Sequence, residues 1–529
     1  MCRHVAPLSR LIRHLSFRAC HGRRRNHRRA VSELKEFIVE SQYDVVIAGA
    51  GPAGLACAQT LQERAPHLRV LLLEAGRAFR RRPCPVDRGL RCTGCGGVCN
   101  VISGFGGSMH YGDGAKLSLL PSGRRLITHF GEQTAQSLCA EAYAWLTSGL
   151  SQPPALAGQG LSERAVSSFN DFGLSIRQYP VAVVGERDLE RIIETCHDGL
   201  RAECQHMSEL TDAQPHRDGG MTVTVRTHHG VEQVHAGHVV LATGRRGVTA
   251  TSALLRRLGV PMTPPDLSVG VRFEMDARLL AEIGAEHPDL KISQRDTAVT
   301  NKVKTFCFCG GPNGGRLKFT HYHSAFGPAV ITLDGHETTD RLASDRPLAA
   351  NFGLLCQVQG RGNAAQAQES FLDTYRKLSD GRPFTQTLGS FLNRSPEATP
   401  WSELEGSLPY QPSVLDLTTG PVHELFTPQE HASLTAGLDR VLGSILKHAG
   451  HEASLHDLAD QVLVVAPELE FVWEQPALDA GCQVPGLPVY VVGDSAGIAQ
   501  GIVQGAMMGM AAARTIAAGQ PAISVGADR

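Results

Sequence analysis

Residues 43–61 read Y-D-V-V-I-A-G-A-G-P-A-G-L-A-C-A-Q-T-L. Val45, Val46 and Ile47 form an apolar run of strand length, the pattern of a strand covered on both faces. Gly49, Gly51 and Gly54 follow in the spacing G-x-G-x-x-G. Each has a physical task. Gly49 turns the chain tightly out of the strand, Gly51 leaves room for a pyrophosphate against the backbone, and Gly54 lets the next helix pack close to the strand. That helix, with Pro52 and Ala53 in its first turn, offers free N–H groups and the positive end of its dipole to phosphates. It stops before Pro66, which cannot continue it. A second apolar run, Val70 to Leu73, ends at Glu74, 20 positions after Gly54. A carboxylate there accepts hydrogen bonds from an adenosine ribose, and the adjoining Ala75 is expected to touch the same group. The order strand, glycine loop, helix, strand and acid predicts a dinucleotide site; the bland alternative is an ordinary strand-to-helix turn.

Two later segments favour FAD over NAD. Residues 239–247 read V-V-L-A-T-G-R-R-G after a stretch of alternating residues, which predicts a meander and then a buried strand delivering Ala242, Thr243 and Gly244. Residues 489–513 read V-Y-V-V-G-D-S-A-G-I-A-Q-G-I-V-Q-G-A-M-M-G-M-A-A-A. A strand there delivers Gly493 and Asp494, placed to bond the ribityl hydroxyls of a flavin. A helix starting near Gly501 and Ile502 points its positive end at the flavin pyrimidine or phosphate. The structural alternative for Asp494 is a helix N-cap.

This triplet resembles the flavoprotein fold shared by glutathione-reductase-like, hydroxylase-like and geranylgeranyl-reductase-like enzymes. Four further stretches, CPVDRGLRCTGCGGVCNVISGFGGSMHYGDGAKLSL from Cys84, VGVRFE (Val269 to Glu274), KTFCFCGGPNGG and PLAANFGLL, resemble a bacterial group of FAD-dependent dehydrogenases described as NAD(FAD)-utilizing. The resemblance runs from about Tyr43 to Gly519. It implies FAD, a glycine loop at Gly106 and Gly107 near the flavin and pyrophosphate, and a site role for Asn351. Where the group reads G-G-A-G-x-F-S-D-G-K-L, this chain has an extra residue before Lys116. No role therefore carries to Asp113 or Lys116.

Cys84, Cys92, Cys95 and Cys99 have the spacing C-x7-C-x2-C-x3-C, which leaves three readings open. Soft thiolates hold zinc or an iron–sulfur cluster, although this spacing matches none of the common four-cysteine patterns, and no metal is assigned. Cys92 and Cys95 form a C-x-x-C able to exchange with a flavin. The third reading is four small residues in a glycine-rich loop. Cys307 and Cys309 share a face if they lie on a strand, lining a site or packing in a core. His321, Tyr322 and His323 are candidate acid–base groups near the flavin, and Cys95 is a further candidate as a redox residue. Arg272 and Glu274, two apart on a strand, read as a buried ion pair or as contacts to an anionic substrate.

Composition is that of a globular chain: 529 residues, 42% hydrophobic and 19% charged. Residues Met1 to Ala30 contain Arg3, Arg10, Arg13, Arg18, Arg23, Arg24, Arg25, Arg28 and Arg29 and no Asp or Glu. This start reads as an extension without fold or a start site truly at Val31, ahead of a targeting segment. No run reaches the ~18 apolar residues of a membrane span, dispersed basic residues argue against nucleic acid, and a cytoplasmic location is expected. GGPNGG at 310–315 lacks the fingerprint spacing, so no separate NAD(P)H domain of the disulfide-reductase kind is expected, and NAD(P)H enters as an external donor. Trp145, Trp401 and Trp473 do not form the W-x-W-x-I-P of flavin halogenases.

The expected architecture is α/β: a discontinuous Rossmann-type FAD-binding domain (42–120, 181–261 and 484–519) with an inserted α+β substrate domain (121–180 and 262–483), after a basic extension (1–40). The expected function is hydride transfer between a small organic substrate and flavin N5. Two alternatives stay open: an NAD(P)H-dependent flavin monooxygenase, and an electron-transfer or redox-sensing protein built on the cysteine cluster.

Overall fold

The computed structural model describes residues 41–519, apart from 89, 93, 96, 111, 113, 265, 295–300, 312, 325–326, 338–344, 360–361, 416 and 471–473. The basic extension, Asp113 and Trp473 lie outside the described residues. The chain divides at Ser41 and Gln42, and the fold is that of the second unit.

The fingerprint folds as its spacing dictates. Strand β1 (Ser41–Ala48) leads into helix α1 (Pro52–Arg64), which returns as β2 (Val70–Glu74). Proline at the first helical turn suits its fixed φ and missing N–H. The strands pair in parallel, from Val45 opposite Val70 to Ala48 opposite Leu73. Every residue of β2 is buried, as expected of a parallel strand covered on both faces.

Among the described residues β1 and β2 belong to a seven-stranded sheet. Glu203–His206 adds in parallel to β2. On the other side of β1 lies Gly230–Leu241, followed by the antiparallel strands Met221–Thr227 and Glu209–Pro215. Val489–Val491 pairs in parallel with the end of Gly230–Leu241. Three distant segments therefore build one sheet. The C-terminal helix Ile502–Ala518 lies along α1. Glycine permits that approach: a Cβ on Gly509 would sit 2.0 Å from the Ala53 carbonyl oxygen.

Among the described residues a second, eight-stranded sheet runs through Ser268–Asp276, with Ala349–Gln357 and Leu463–Glu470 antiparallel on its two sides. Val303–Cys309, Lys291–Gln294 and Leu174–Arg177 extend one edge. The helix Pro428–His448 covers it with Leu434, Leu438, Val441 and Leu442. Residues 121–180 divide between the two cores. Leu126, Phe130, Leu138 and Leu146 pack with the first sheet, whereas Phe169 and Leu174 pack with the second.

All nine residues of Ser268–Asp276 are buried, three of them charged: Arg272, Glu274 and Asp276. The sequence suggested Arg272 and Glu274 as partners, and the structure gives each another. Arg272 Nε donates to Glu468 at 2.5 Å, and its Nη1 to Asn351. Glu274 accepts from the Ser413 hydroxyl and, at 3.2 Å, from its N–H. Residues two apart on a strand are separated by ~7 Å, farther than a cross-strand neighbour. Asn351 thus sits fully buried as an acceptor for Arg272.

Burial pushes the Glu274 carboxyl up to about 7, against the two Ser413 hydrogen bonds. A raised folded value contributes stability that is complete below the unfolded carboxyl value and is lost as pH rises through about 7. Glu274→Gln keeps the acceptor without the charge. It is expected to match the parent protein near pH 5 and to exceed it at pH 8 by on the order of 2 kcal/mol, read from urea midpoints at both pH values. An equal effect at both would rule out ionisation of Glu274 as the cause.

Candidate functional site

The two sheets border a cavity of about 760 Å³, within the ~300–1,000 Å³ of ordinary cofactor and ligand sites. Gly49, Gly51, Pro52, Ala53, Glu74, Ala75, Gly107, Ala242, Thr243, Gly244, Gly493, Asp494, Gly501 and Ile502 all line it. Residues more than 400 positions apart in sequence are thereby brought to one wall.

The glycine cradle has a steric basis. Gly49 has φ +114°, and a Cβ there would lie 2.2 Å from the Ala242 carbonyl oxygen. A Cβ on Gly54 would lie 1.8 Å from Gly49 O, so Gly54 packs inside the turn and does not line the cavity. Gly51 differs, because the nearest atom to its Cβ would be Gly107 Cα at 3.6 Å. That is ordinary contact, so of the three fingerprint glycines only Gly51 has room for a Cβ. Gly106, also off the cavity wall, donates to Ala50 O at 2.8 Å and ties the two glycine loops together. Neither α1 nor the C-terminal helix has a side-chain cap: Gly51 and Gly501 precede them. Both present unsatisfied first-turn N–H groups and a positive dipole end to the same space.

Glu74 is buried, and its carboxylate accepts from Ala50 N at 2.8 Å, Gly76 N at 2.7 Å and Gly104 N at 2.9 Å. An ionised carboxylate has about four acceptor positions, so the three amides fix its orientation. Asp494 sits in a short turn, Gly493–Ala496, 3.8 Å from Arg245 Nε. Burial raises its carboxyl value against the pull of Arg245. Arg245 also donates to Asp334 at 2.8 Å and to the Tyr322 hydroxyl at 3.4 Å.

The far wall carries groups to which the motifs assigned no role. Lys116 Nζ donates to Phe308 O and lies 3.4 Å from Asp289 and 3.6 Å from Glu337 Oε1. Asp289 is buried, yet Lys291 and Lys116 hold its carboxyl well below the usual range. Glu337 is 2% exposed, and burial pushes it up to about 7 against the attraction of Lys116. Cys307 lines the cavity with φ +43°, and Cys309 is buried behind it, the sulfurs 3.9 Å apart. The strand's register breaks between Phe306 and Cys309.

The cysteine loop is a separate place. Cys84 and Cys99 are buried in a small apolar cluster with Val101, whereas Cys92 packs on another, beside Trp401 and Leu404. Cys92 Sγ lies 3.2 Å from His321 Nε2, and the hydrogen-bonded partner of Cys95 is Cys99 instead of Cys92. That bond draws the Cys95 thiol down to about 6 and raises that of Cys99. Among the described residues no group of three or more His, Cys, Asp or Glu is arranged to hold a metal ion. Neither His321 nor Cys95 is among the residues lining the cavity. The His323 side chain lies outside what is described.

Sequence reasoning missed Arg82. It is fully buried and donates to the carbonyls of Asn100, Val101, Phe105, Gly107 and Met109. The guanidinium fork satisfies a loop that has too few regular partners of its own. The signal was the run Arg80-Arg81-Arg82 before a proline, which reads as solvated charge unless the fold buries it.

A profile of the Thi4 family matches residues 24–80. No curated protein matches the chain. Solved structures similar to it include pyridoxine 4-oxidase from Mesorbium loti, at 13% identity and TM-score 0.41 over 90% of this chain and 98% of that one. A formate oxidase of Aspergillus oryzae, described for modification of its FAD, is 11% identical with TM-score 0.43, over 90% and 98%. The anhydrotetracycline hydroxylase OxyS from Streptomyces rimosus is 16% identical with TM-score 0.35, over 91% of this chain and 64% of that one. The chain thus spans less than two thirds of the hydroxylase's length.

Arg82→Met removes the donors and leaves five carbonyls seeking water. It is expected to cost ~3 kcal/mol or more and to open residues 100–109 to hydrogen exchange. Unchanged exchange in that loop would show that Arg82 does not hold it.

Proposed function

We propose that the chain is an FAD-dependent oxidoreductase moving a hydride between a small organic substrate and flavin N5. The observation that carries this reading is the opening of two uncapped helix N-termini onto one cavity lined by the backbones of Gly51 and Gly107. In this reading 42–120, 181–261 and 484–519 supply the FAD-binding domain and 262–483 the substrate domain, with 121–180 shared between them.

Bound FAD would supply the reversible hydride chemistry. The chain's own residues bind and orient. The first-turn N–H groups of α1 take the pyrophosphate, while Gly49 and Gly54 hold that turn. Glu74, oriented by its three amides, takes the adenosine ribose with Ala75 alongside. Asp494, held by Arg245, takes the ribityl hydroxyls. The dipole of the C-terminal helix, starting at Ile502, stabilises negative charge on the adjoining ring. Glu337 holds or releases a proton at Oε1 on the cavity wall, with Lys116 stabilising the ionised form. NAD(P)H is the proposed external donor, and the cytoplasm the proposed location.

Gly51→Ala tests the reading cleanly, because its methyl meets ordinary contact with the protein and otherwise enters the cavity. The variant is expected to keep the parent's thermal midpoint without cofactor and to lose flavin absorbance in the purified protein. Gly49→Ala, by contrast, is expected to fail to fold. Full flavin occupancy in Gly51→Ala, or no flavin bound by the parent protein after reconstitution, defeats the proposal.

A further inference from the structure

Among the described residues, one rim of the cavity carries more positive charge than the acids beside it answer. Arg177 and Lys291 are directly opposed on antiparallel strands, and both line the cavity. Like charges in that position are destabilising. Arg124, at the start of the helix Arg124–Phe130, lines the same rim.

The acids nearby are already engaged. Asp289 takes Ser118 Oγ and the Tyr179 hydroxyl at 2.8 Å and 2.7 Å, beside Lys116 and Lys291. Glu470 takes Lys304 and Gln500. Lys291 reaches Ser122 Oγ at 2.7 Å. Among the described residues, the side chains of Arg124 and Arg177 have no hydrogen-bonded or ion-paired partner, although Arg177 is half-buried. Burial and then the neighbouring Arg124 pull the Arg177 guanidinium below its ordinary value, as expected where like charges converge without an anion.

The rim adjoins the C-terminal helix. Arg125 donates to Gly497 O at 3.0 Å, and Gln504 of that helix donates to Ser118 O at 2.7 Å. Resting on the flavin reading above, we infer that Arg177 and Arg124, with Lys291, bind the anionic head group of the substrate, a carboxylate or a phosphate, beside the flavin. Guanidinium forks match either oxyanion in a two-pronged geometry. The like-charge pair persists because occupation by substrate relieves it.

The test uses the holoprotein with three aromatic probes: benzoate, phenyl phosphate and uncharged benzyl alcohol. Binding is followed by calorimetry and by perturbation of the flavin spectrum. The expectation is that an anion binds and benzyl alcohol does not, and that Arg177→Gln weakens anion binding by about ten-fold or more. That variant retains its flavin, and without anion its thermal midpoint equals or exceeds the parent's, since a repulsion has gone. Arg217→Gln, an exposed arginine elsewhere, leaves binding unchanged. Preference for benzoate or for phenyl phosphate assigns the head group. Equal binding of all three probes overturns the inference, as does an Arg177→Gln variant with undiminished anion affinity. Loss of flavin from Arg177→Gln also overturns it, because the cations then belong to the cofactor. If the parent binds no flavin, calorimetry still reads the anion site, so the two proposals fail separately.

Discussion

The structure hangs on how closely the backbone passes itself at Gly49. The chain leaves β1 with φ +114°, and the space where a side chain would start is filled by the Ala242 carbonyl oxygen. That contact sets Gly230–Leu241 beside β1, where Ala242 N–H reaches Ala48 O at 2.9 Å. It directs α1 back over the sheet, and Gly54 completes the turn from inside. It also brings Ala50 N–H to Glu74, joining both strands and the loop through one buried carboxylate. A wall shared by residues from both ends of the chain follows from these few contacts.

Around this rigid floor the cavity is unusually rich in buried charge. Arg82 satisfies carbonyls of the glycine loop, Arg245 spans Asp334 and Asp494, and Lys116 sits among Asp289 and Glu337. Buried charges are costly unless paired, and these are paired mostly across elements. The carboxyl groups respond in opposite directions: Asp289, between two lysines, is held low, whereas Glu337, with one more distant lysine, is pushed up to about 7. One cavity wall thereby holds both a fixed anion and a carboxyl poised between states, a separation of roles that suits acid–base chemistry. The charge left over lies at the rim.

The cysteine loop obeys a different constraint. Two of its thiols are drawn into an apolar cluster, one turns to a histidine, and one is hydrogen-bonded to a buried neighbour. Spacing alone suggested four convergent ligands or a C-x-x-C pair, whereas the structure bonds Cys95 to Cys99 and sets Cys92 against His321.

The sequence by itself determined the elements whose geometry leaves no alternative. G-x-G-x-x-G after an apolar run demands a tight turn and a close helix, and the expectations for Gly49 to Ala75 came from that logic, while those for Ala242 to Gly244 and Gly493 to Ile502 came from two later strand-and-glycine segments. These are local backbone constraints, written in glycine spacing and apolar runs. Only the tertiary structure decided the rest. Arg82 looks like surface charge until the loop folds around it, and Lys116, Asp289 and Glu337 lie on separate strands whose pairing no local pattern reports. The partners of Arg272 and Glu274 depend on cross-strand register. Opposition of Arg177 and Lys291 likewise exists only once Leu174–Arg177 pairs with Lys291–Gln294. Side-chain chemistry at long range is set by which strands meet, and a single sequence carries that information only in the summed packing of the whole chain.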